Sequence, residues 1–140
     1  MKKHYIFLYL LLFPIVSFAQ DIKFKKDKVL IDGKEAFNTE RAGTFGAAGY
    51  DISPLDSTKP FLSLISNNGG THMELSDDYV IIRFLTVGKN LEISGGDIRK
   101  ALKLLLKNEV IVNGKLDESK IDIFISNYDE NISGRTLIRR

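Results

Sequence analysis

The spacing of apolar residues divides the chain into a strand-rich first part and a helical second part. Short apolar runs within residues 22–94 are separated by turn-forming stretches such as Asp32-Gly33 and 67–70, which is typical of antiparallel strands. In residues 95–110 and 117–131, apolar residues recur at helical spacing. We therefore expect an α+β domain in which an antiparallel β-meander is followed by two amphipathic helices packed on one face.

The clearest predicted strand spans residues 79–85. Its two alternating faces are Val80, Ile82 and Phe84 on one side, and Tyr79, Ile81, Arg83 and Leu85 on the other. Apolar residues on both faces predict a central strand that is covered, at least partly, on both sides. An arginine is costly to bury without a partner, so we expect Arg83 to be paired structurally, with an anion-binding arginine in a groove as the alternative.

Helix boundaries are indicated by capping residues and breakers. Asp97 and Asp117 stand where an N-cap is expected. The sequence "VNGK" at 112–115 separates the two helices, and residues 131–134 are predicted to end the second. The tail that follows is short, and either a frayed end or an edge strand fits it.

The first 19 residues have the pattern of a secretory signal peptide. Lys2 and Lys3 precede an apolar run, Pro14 follows it, and the small residues Ser17 and Ala19 come before Gln20. The apolar stretch is shorter than the roughly 20 residues that a membrane-spanning helix needs. We expect cleavage between Ala19 and Gln20, no retained membrane anchor, and a single α+β domain over residues 20–140 in the periplasm or outside the cell.

Composition excludes several classes of partner and chemistry. The chain has 20 basic and 18 acidic residues, and both surplus lysines, Lys2 and Lys3, lie in the leader. The mature domain is therefore expected to be neutral overall, which gives no indication of nucleic-acid binding. The absence of cysteine excludes disulfides and a cysteine-linked lipid. No cofactor is implied.

Three segments carry the resemblance of this chain to other proteins. The leader ending in "FAQ", the "VLIDGKEAF" hairpin, and the helical pair in "ALKLLLKNEVIVNGKLDESKIDIFISNY" resemble a group of small uncharacterised secreted bacterial proteins. The resemblance implies the same α+β fold. It implies no activity, because the group has no assigned function.

Two motifs contain residue types that can bind a metal ion or a phosphate. His72 and Glu74 share one side of an extended segment, close to Asp77 and Asp78, and are weak candidates for metal ligands. A structural zinc site is normally closed by four ligands, and the mature chain has neither a second histidine nor a cysteine, so we predict no metal. "GTFGAAGYD" at 43–51 lacks the following helix that a phosphate-binding loop needs, and we expect a flexible loop.

A basic stripe is predicted on the first helix. Arg99, Lys103 and Lys107 follow one another at intervals of four, with Lys100 beside them. Such a stripe is typical of the solvated face of an amphipathic helix, and contact with an acidic partner is the alternative.

These observations favour an exported, non-catalytic binding protein whose partner is another protein of the cell envelope. Arg83, Tyr79 and Ile81 are weak candidates for the ligand-binding residues. One alternative is a binder of a small apolar ligand between sheet and helices, with walls formed by Phe61, Tyr79, Ile81 and Phe84. Another is a small carboxylate-dependent hydrolase, for which Asp51, Asp56 and Glu92 are available.

Overall fold

Seven antiparallel strands in sequential order form the main sheet. The structure is a computed structural model that describes residues 21–69 and 77–137, with side chains as far as Gly134. The strands are β1 (Ile22–Lys25), β2 (Lys28–Ile31), β3 (Lys34–Thr44), β4 (Ala47–Pro54), β5 (Leu62–Asn67), β6 (Tyr79–Phe84) and β7 (Lys89–Ser94). Each strand pairs with the next, which confirms the predicted meander.

Two tight turns are made by residues in the left-handed conformation. Asp32 and Gly33, between β2 and β3, have φ values of 52° and 81°, and Ile31 pairs with Lys34 across them. Positive φ at both central residues gives a turn whose twist suits two antiparallel strands. Asn113 and Gly114 have the same signs of φ and join the short strands β8 (Ile111–Val112) and β9 (Lys115–Leu116), where the sequence predicted only a helix break.

The expected flexible loop at 43–51 is instead the end of the long β3–β4 hairpin, in which Thr44 pairs with Ala47. Gly46, in the two-residue turn after Thr44, and Gly43, near the end of β3, have φ values of 84° and 88°. Gly49 serves close packing, because a Cβ there would lie 1.8 Å from the carbonyl oxygen of Leu64 in β5. The glycines shape the hairpin and bring β4 close to β5, so the expectation of a loop was wrong.

Three helices follow the sheet: α1 (Ile98–Lys107), α2 (Glu118–Tyr128) and α3 (Ile132–Leu137). The predicted caps are confirmed: Asp97 accepts hydrogen bonds from the backbone N–H groups of Arg99 and Lys100, and Asp117 accepts one from Ser119. The third helix was not predicted. It begins inside the segment that the sequence marks as a stop.

The hydrophobic core lies between the sheet and the first two helices. It contains inward-facing residues of β6, α1 and α2, namely Val80, Ile82, Phe84, Ala101, Leu102, Leu105, Ile121 and Phe124. The rings of Phe84 and Phe124 meet edge to face, with centroids 6.5 Å apart. Because α1 and α2 pack on one face of the sheet, the opposite face of β6 is turned away from the core.

The two edges of the sheet differ. At β7, the backbone N–H groups of Glu92 and Ser94 donate to the carboxylates of Asp129 and Glu130, at 3.0 and 2.6 Å, and the Glu130 N–H donates to the Glu92 carbonyl at 2.9 Å. These bonds occupy the outward backbone groups of β7. An edge strand whose backbone groups are unpaired can pair with another chain, and this edge is therefore protected. At the other end of the sheet, β1 pairs with β2 alone.

Candidate functional site on the open face of the sheet

Strand β6 directs the candidate binding residues away from the core. Arg83 is exposed, and Tyr79 and Ile81 are half-buried. Leu85, just after the strand, exposes 43% of its surface. The prediction of a strand covered on both sides is therefore wrong at these last positions, because α1 and α2 occupy only the core face.

Strand register places Arg83 in a polar row that crosses four strands. Asp51 pairs with Ser63, Ser63 with Arg83, and Arg83 with Asn90. Paired residues in an antiparallel sheet point to the same side, so these side chains share the open face.

An apolar row runs beside the polar one. Gly49 pairs with Ile65, and Ile65 pairs with Ile81. The absence of a side chain at Gly49 leaves Ile65 and Ile81 as the apolar centre of this row. The open face therefore offers a hydrogen-bonding strip and an apolar strip next to one another.

The open face is concave and forms a groove of about 470 Å³, which we call the open-face groove. Its lining comes from β3, β4, β5 and the region of β6: Ala42, Gly43, Thr44, Ala47, Asp51, Ser63, Ile65, Asn67, Ile81, Arg83 and Leu85. Ser63 and Ile65 form its floor, because they expose only 4% and 5% of their surface although α1 and α2 pack on the other face.

Arg83 is available to an incoming anion. Within residues 21–69 and 77–134, the salt bridges join Lys23 to Asp21 and Lys89 to Asp122, and neither involves Arg83. The expected structural pairing of Arg83 is thus not found in the described part of the chain. The guanidinium group is planar and presents a fork of donors that matches a carboxylate.

Tyr79 lies at the β6 end of the open face, and its ionisation is disfavoured. Burial, and secondarily the negative charge of Glu92, raise the pKa of the Tyr79 phenol above its ordinary value of 10.0. The hydroxyl is therefore neutral at physiological pH and remains a hydrogen-bond donor.

The walls foreseen for an apolar ligand do not lie together. Phe61 and Phe84 belong to the core, and the rings of Phe61 and Phe37 are 5.8 Å apart. Ile81 lines the open-face groove on the other side of β6. The four side chains are therefore split between the two faces of the sheet.

The three carboxylates that the hydrolase alternative requires lie in different parts of the structure. Asp51 lines the open-face groove, Asp56 is exposed after β4, and the Glu92 carboxylate accepts hydrogen bonds from Ser133. His72 and Glu74 lie outside the described residues. Within the described residues, no group of three or more histidine, cysteine or acidic side chains is arranged to hold a metal ion.

Ser63, Ile65 and Asn67 were missed as site residues by sequence reasoning. The sequence predicts that their segment is a strand. It does not show which residues of the adjacent strands lie beside them, because that depends on how the strands align across the sheet.

Comparisons with protein-family models, with curated proteins and with solved structures found no match for this chain. The resemblance to small secreted bacterial proteins therefore stays a prediction. Within the described residues, every helix is too short or too polar to cross a bilayer.

Proposed function

We propose that this chain is an exported, non-catalytic binding protein that recognises another protein of the cell envelope through its open-face groove. Export is supported by the leader pattern at residues 1–19. The observation that carries the binding role is the exposed Arg83, which has no salt bridge within the described residues and stands beside an apolar row. Catalysis has no comparable support among the described side chains.

Each part of the groove has a role in this proposal. Arg83 pairs with a carboxylate of the partner, and Ser63 beside it supplies a further hydrogen-bonding group. Ile65 and Ile81 receive an apolar side chain. Such a combination of an arginine and an apolar centre is typical of residues that dominate binding energy in protein interfaces.

The extent of the surface favours a protein partner over a small molecule. Leu85 and Phe45 expose 43% and 90% of their surface, and Phe45 lies at the tip of the β3–β4 hairpin. Leu85 lines the open-face groove itself, and Phe45, which follows the lining residue Thr44, adds an exposed aromatic ring at the hairpin end, outside the cavity of about 470 Å³. Contiguous exposed apolar surface commonly marks protein interaction sites.

The test is affinity capture of the full chain, expressed in its own host with a C-terminal tag, followed by mass spectrometry. We compare the unchanged protein with Arg83→Glu and with Lys115→Glu, a matched charge reversal on the exposed β9 strand. We expect an envelope protein that is recovered with the unchanged chain and with Lys115→Glu but lost with Arg83→Glu.

The same samples test export. The mass of the recovered chain should correspond to a start at Gln20. Equal recovery of every partner by Arg83→Glu and by the unchanged chain would remove the open-face groove from the proposal. A mass that still includes Met1 would remove export.

A further inference from the structure

The second surface of interest is a groove along the edge strand β1. A depression of about 850 Å³ is lined on one side by residues 23–25, and one of about 330 Å³ is lined by residues 21–22. Asp97 and Arg99, at the start of α1, line both. The two depressions therefore form one channel between β1 and the start of α1, which we call the β1 groove.

The β1 groove exposes a strand edge with unused backbone groups. The Asp32 N–H donates to the Asp21 carbonyl at 2.8 Å, so Asp21 and Asp32 form a hydrogen-bonded pair. In an antiparallel ladder such pairs alternate. Ile22 and Phe24 therefore direct their N–H and C=O groups away from β2. Ile22 is buried, exposing 4% of its surface, so the accessible groups on this edge are those of the half-buried Phe24.

The contrast with the opposite edge is informative. At β7, the carboxylates of Asp129 and Glu130 and the N–H of Glu130 occupy the outward backbone groups. Within the described residues, β1 pairs with β2 alone, and α1 contacts it without extending the sheet. One edge of the same sheet is closed by its own chain, and the other borders the β1 groove.

Charge in the β1 groove is unbalanced. Lys23, Lys25, Arg99, Lys100 and Lys103 line it, against three aspartates. The acidic group of Asp97 is engaged in capping α1. The mature sequence as a whole has equal numbers of acidic and basic residues, so this local excess of positive charge favours an acidic occupant.

The same lysines disfavour self-pairing. A second copy that paired edge to edge through β1 would bring its own Lys23 and Lys25 against those of the first. Like charges opposite one another destabilise a strand pair, and lysine on an edge strand is a common protection against aggregation. The lysines therefore reject a second copy and attract an acidic strand.

Two further features complete the groove. The rings of Phe24 and Tyr50 are stacked, with centroids 4.9 Å apart, and offer an apolar contact to side chains of an added strand. Asp78 lines the groove as well, and its Oδ1 is buried with no hydrogen-bond partner in the described part of the chain. A buried acceptor without a partner is unfavourable, and an N–H of an inserted strand satisfies it.

We propose that the β1 groove binds an extended acidic segment of a partner protein, which pairs with β1 as an additional strand of the sheet. Backbone hydrogen bonds to Phe24 hold the segment, as in other complexes formed by strand addition. Its side chains alternate between the two faces. Apolar ones pack near Phe24, and acidic ones lie beside Lys23 and Lys25.

The probe for the test is an end-blocked, fluorescein-labelled octapeptide in which glutamate and valine alternate. A companion peptide has lysine in place of each glutamate. Binding to the purified chain is measured by fluorescence anisotropy at low salt. We expect the acidic peptide to bind and the basic peptide to bind at least about tenfold more weakly.

Two substitutions at one position isolate the backbone contact. Phe24→Ala removes the ring but keeps the N–H, whereas Phe24→Pro also removes an N–H that β2 does not use. Proline is tolerated on edge strands for this reason. We expect a loss of a few fold for Phe24→Ala and a further loss of about tenfold for Phe24→Pro. Circular dichroism and the thermal midpoint of each variant verify that it is folded.

Charge reversals provide the second arm. The double variant Lys23→Glu, Lys25→Glu should prefer the basic peptide, while Lys34→Glu with Lys115→Glu, outside the groove, should bind as the unchanged chain does. Loss of acidic-peptide binding in Arg83→Glu but not in the Lys23→Glu, Lys25→Glu variant would assign the peptide to the open-face groove and overturn this proposal.

Several results overturn the proposal. These are no binding of the acidic peptide, equal binding of both peptides, or equal affinities of the folded Phe24→Ala and Phe24→Pro variants. A concentration-dependent dimer that is lost in Phe24→Pro would show instead that a second copy occupies the edge.

Discussion

Glu92 accepts two hydrogen bonds from Ser133, one from the backbone N–H at 3.1 Å and one from the hydroxyl at 2.8 Å. The two residues are 41 positions apart in the sequence. The first N–H groups of a helix have no partner within the helix, and a negative charge near them is favourable. Glu92 of β7 thus supplies from the sheet the acceptor that lets α3 begin directly after α2.

Replacement of Glu92 by alanine should therefore loosen α3. We expect a decrease of about 1 kcal/mol in the free energy of unfolding, from the loss of two charge-assisted but solvent-exposed hydrogen bonds. Urea unfolding measures this decrease. Glu92→Ala should accelerate amide hydrogen exchange at Ser133 more than it accelerates exchange in β6.

The Glu92–Ser133 contact can be isolated by a double-mutant cycle with Ser133→Ala. Glu35→Ala, at an exposed position of β3, controls for the loss of a surface carboxylate and should change stability by less than about 0.5 kcal/mol. Additive effects of Glu92→Ala and Ser133→Ala would contradict direct coupling.

Gly49 should not tolerate even an alanine. The added Cβ would lie 1.8 Å from the Leu64 carbonyl oxygen and 2.9 Å from the Ile65 Cα, both backbone atoms. Strands β4 and β5 must then separate, and we expect Gly49→Ala to destabilise the fold by about 3 kcal/mol. Thermal unfolding tests this. The matched change Ala48→Gly, at an exposed neighbouring position, should have an effect of about 1 kcal/mol or less, and an equally small effect of Gly49→Ala would show that the close approach is absent.

Asp97 should contribute to stability through its cap on α1. Its carboxylate accepts from the N–H groups of Arg99 and Lys100 at 2.9 and 3.3 Å. We expect Asp97→Ala to lower the free energy of unfolding by about 1 kcal/mol and Asp97→Asn to lower it by less, because asparagine also caps helices well. Chemical denaturation of both variants decides this. A loss for Asp97→Asn as large as for Asp97→Ala would mean that capping is not the cause.

Tyr79 should give the protein a dependence on alkaline pH. Its pKa in the folded state lies above the ordinary value of 10.0, through burial and then through Glu92, so the folded protein holds the phenol proton more tightly than the unfolded chain. Below pH 10 the phenol is protonated in both the folded and the unfolded state, so its contribution to the free energy of unfolding does not change with pH. As pH rises from 10 through the raised pKa, the free energy of unfolding falls. Tyr79→Phe should show a smaller fall in this window.

Ultraviolet absorbance of the phenolates, taken as the difference between the unchanged chain and Tyr79→Phe, separates this titration from that of the other tyrosines. Glu92→Gln should lower the Tyr79 pKa only in part, because the charge of Glu92 is the smaller of the two causes. An identical absorbance titration of the unchanged chain and of Glu92→Gln would contradict a role for Glu92.

The sequence by itself determined the features that depend on neighbouring residues. The caps Asp97 and Asp117, the helical spacing after them, and the alternation that buries Val80, Ile82 and Phe84 were all readable, because each arises within a few residues. The antiparallel meander followed from short strands joined by tight turns. The leader pattern at residues 1–19 belongs to the same class of local signal and remains a prediction.

Only the tertiary structure decided which surfaces are free. Arg83 was expected to be paired, yet it lies on the face that α1 and α2 leave open. Residues 131–134 suggested the end of the helical part, yet a further helix begins there and donates two hydrogen bonds from Ser133 to Glu92. The closure of β7 and the open edge of β1 likewise depend on contacts between distant segments. The physical reason is that hydrogen-bond partners and burial at these sites come from residues tens of positions away, whose placement local patterns do not encode.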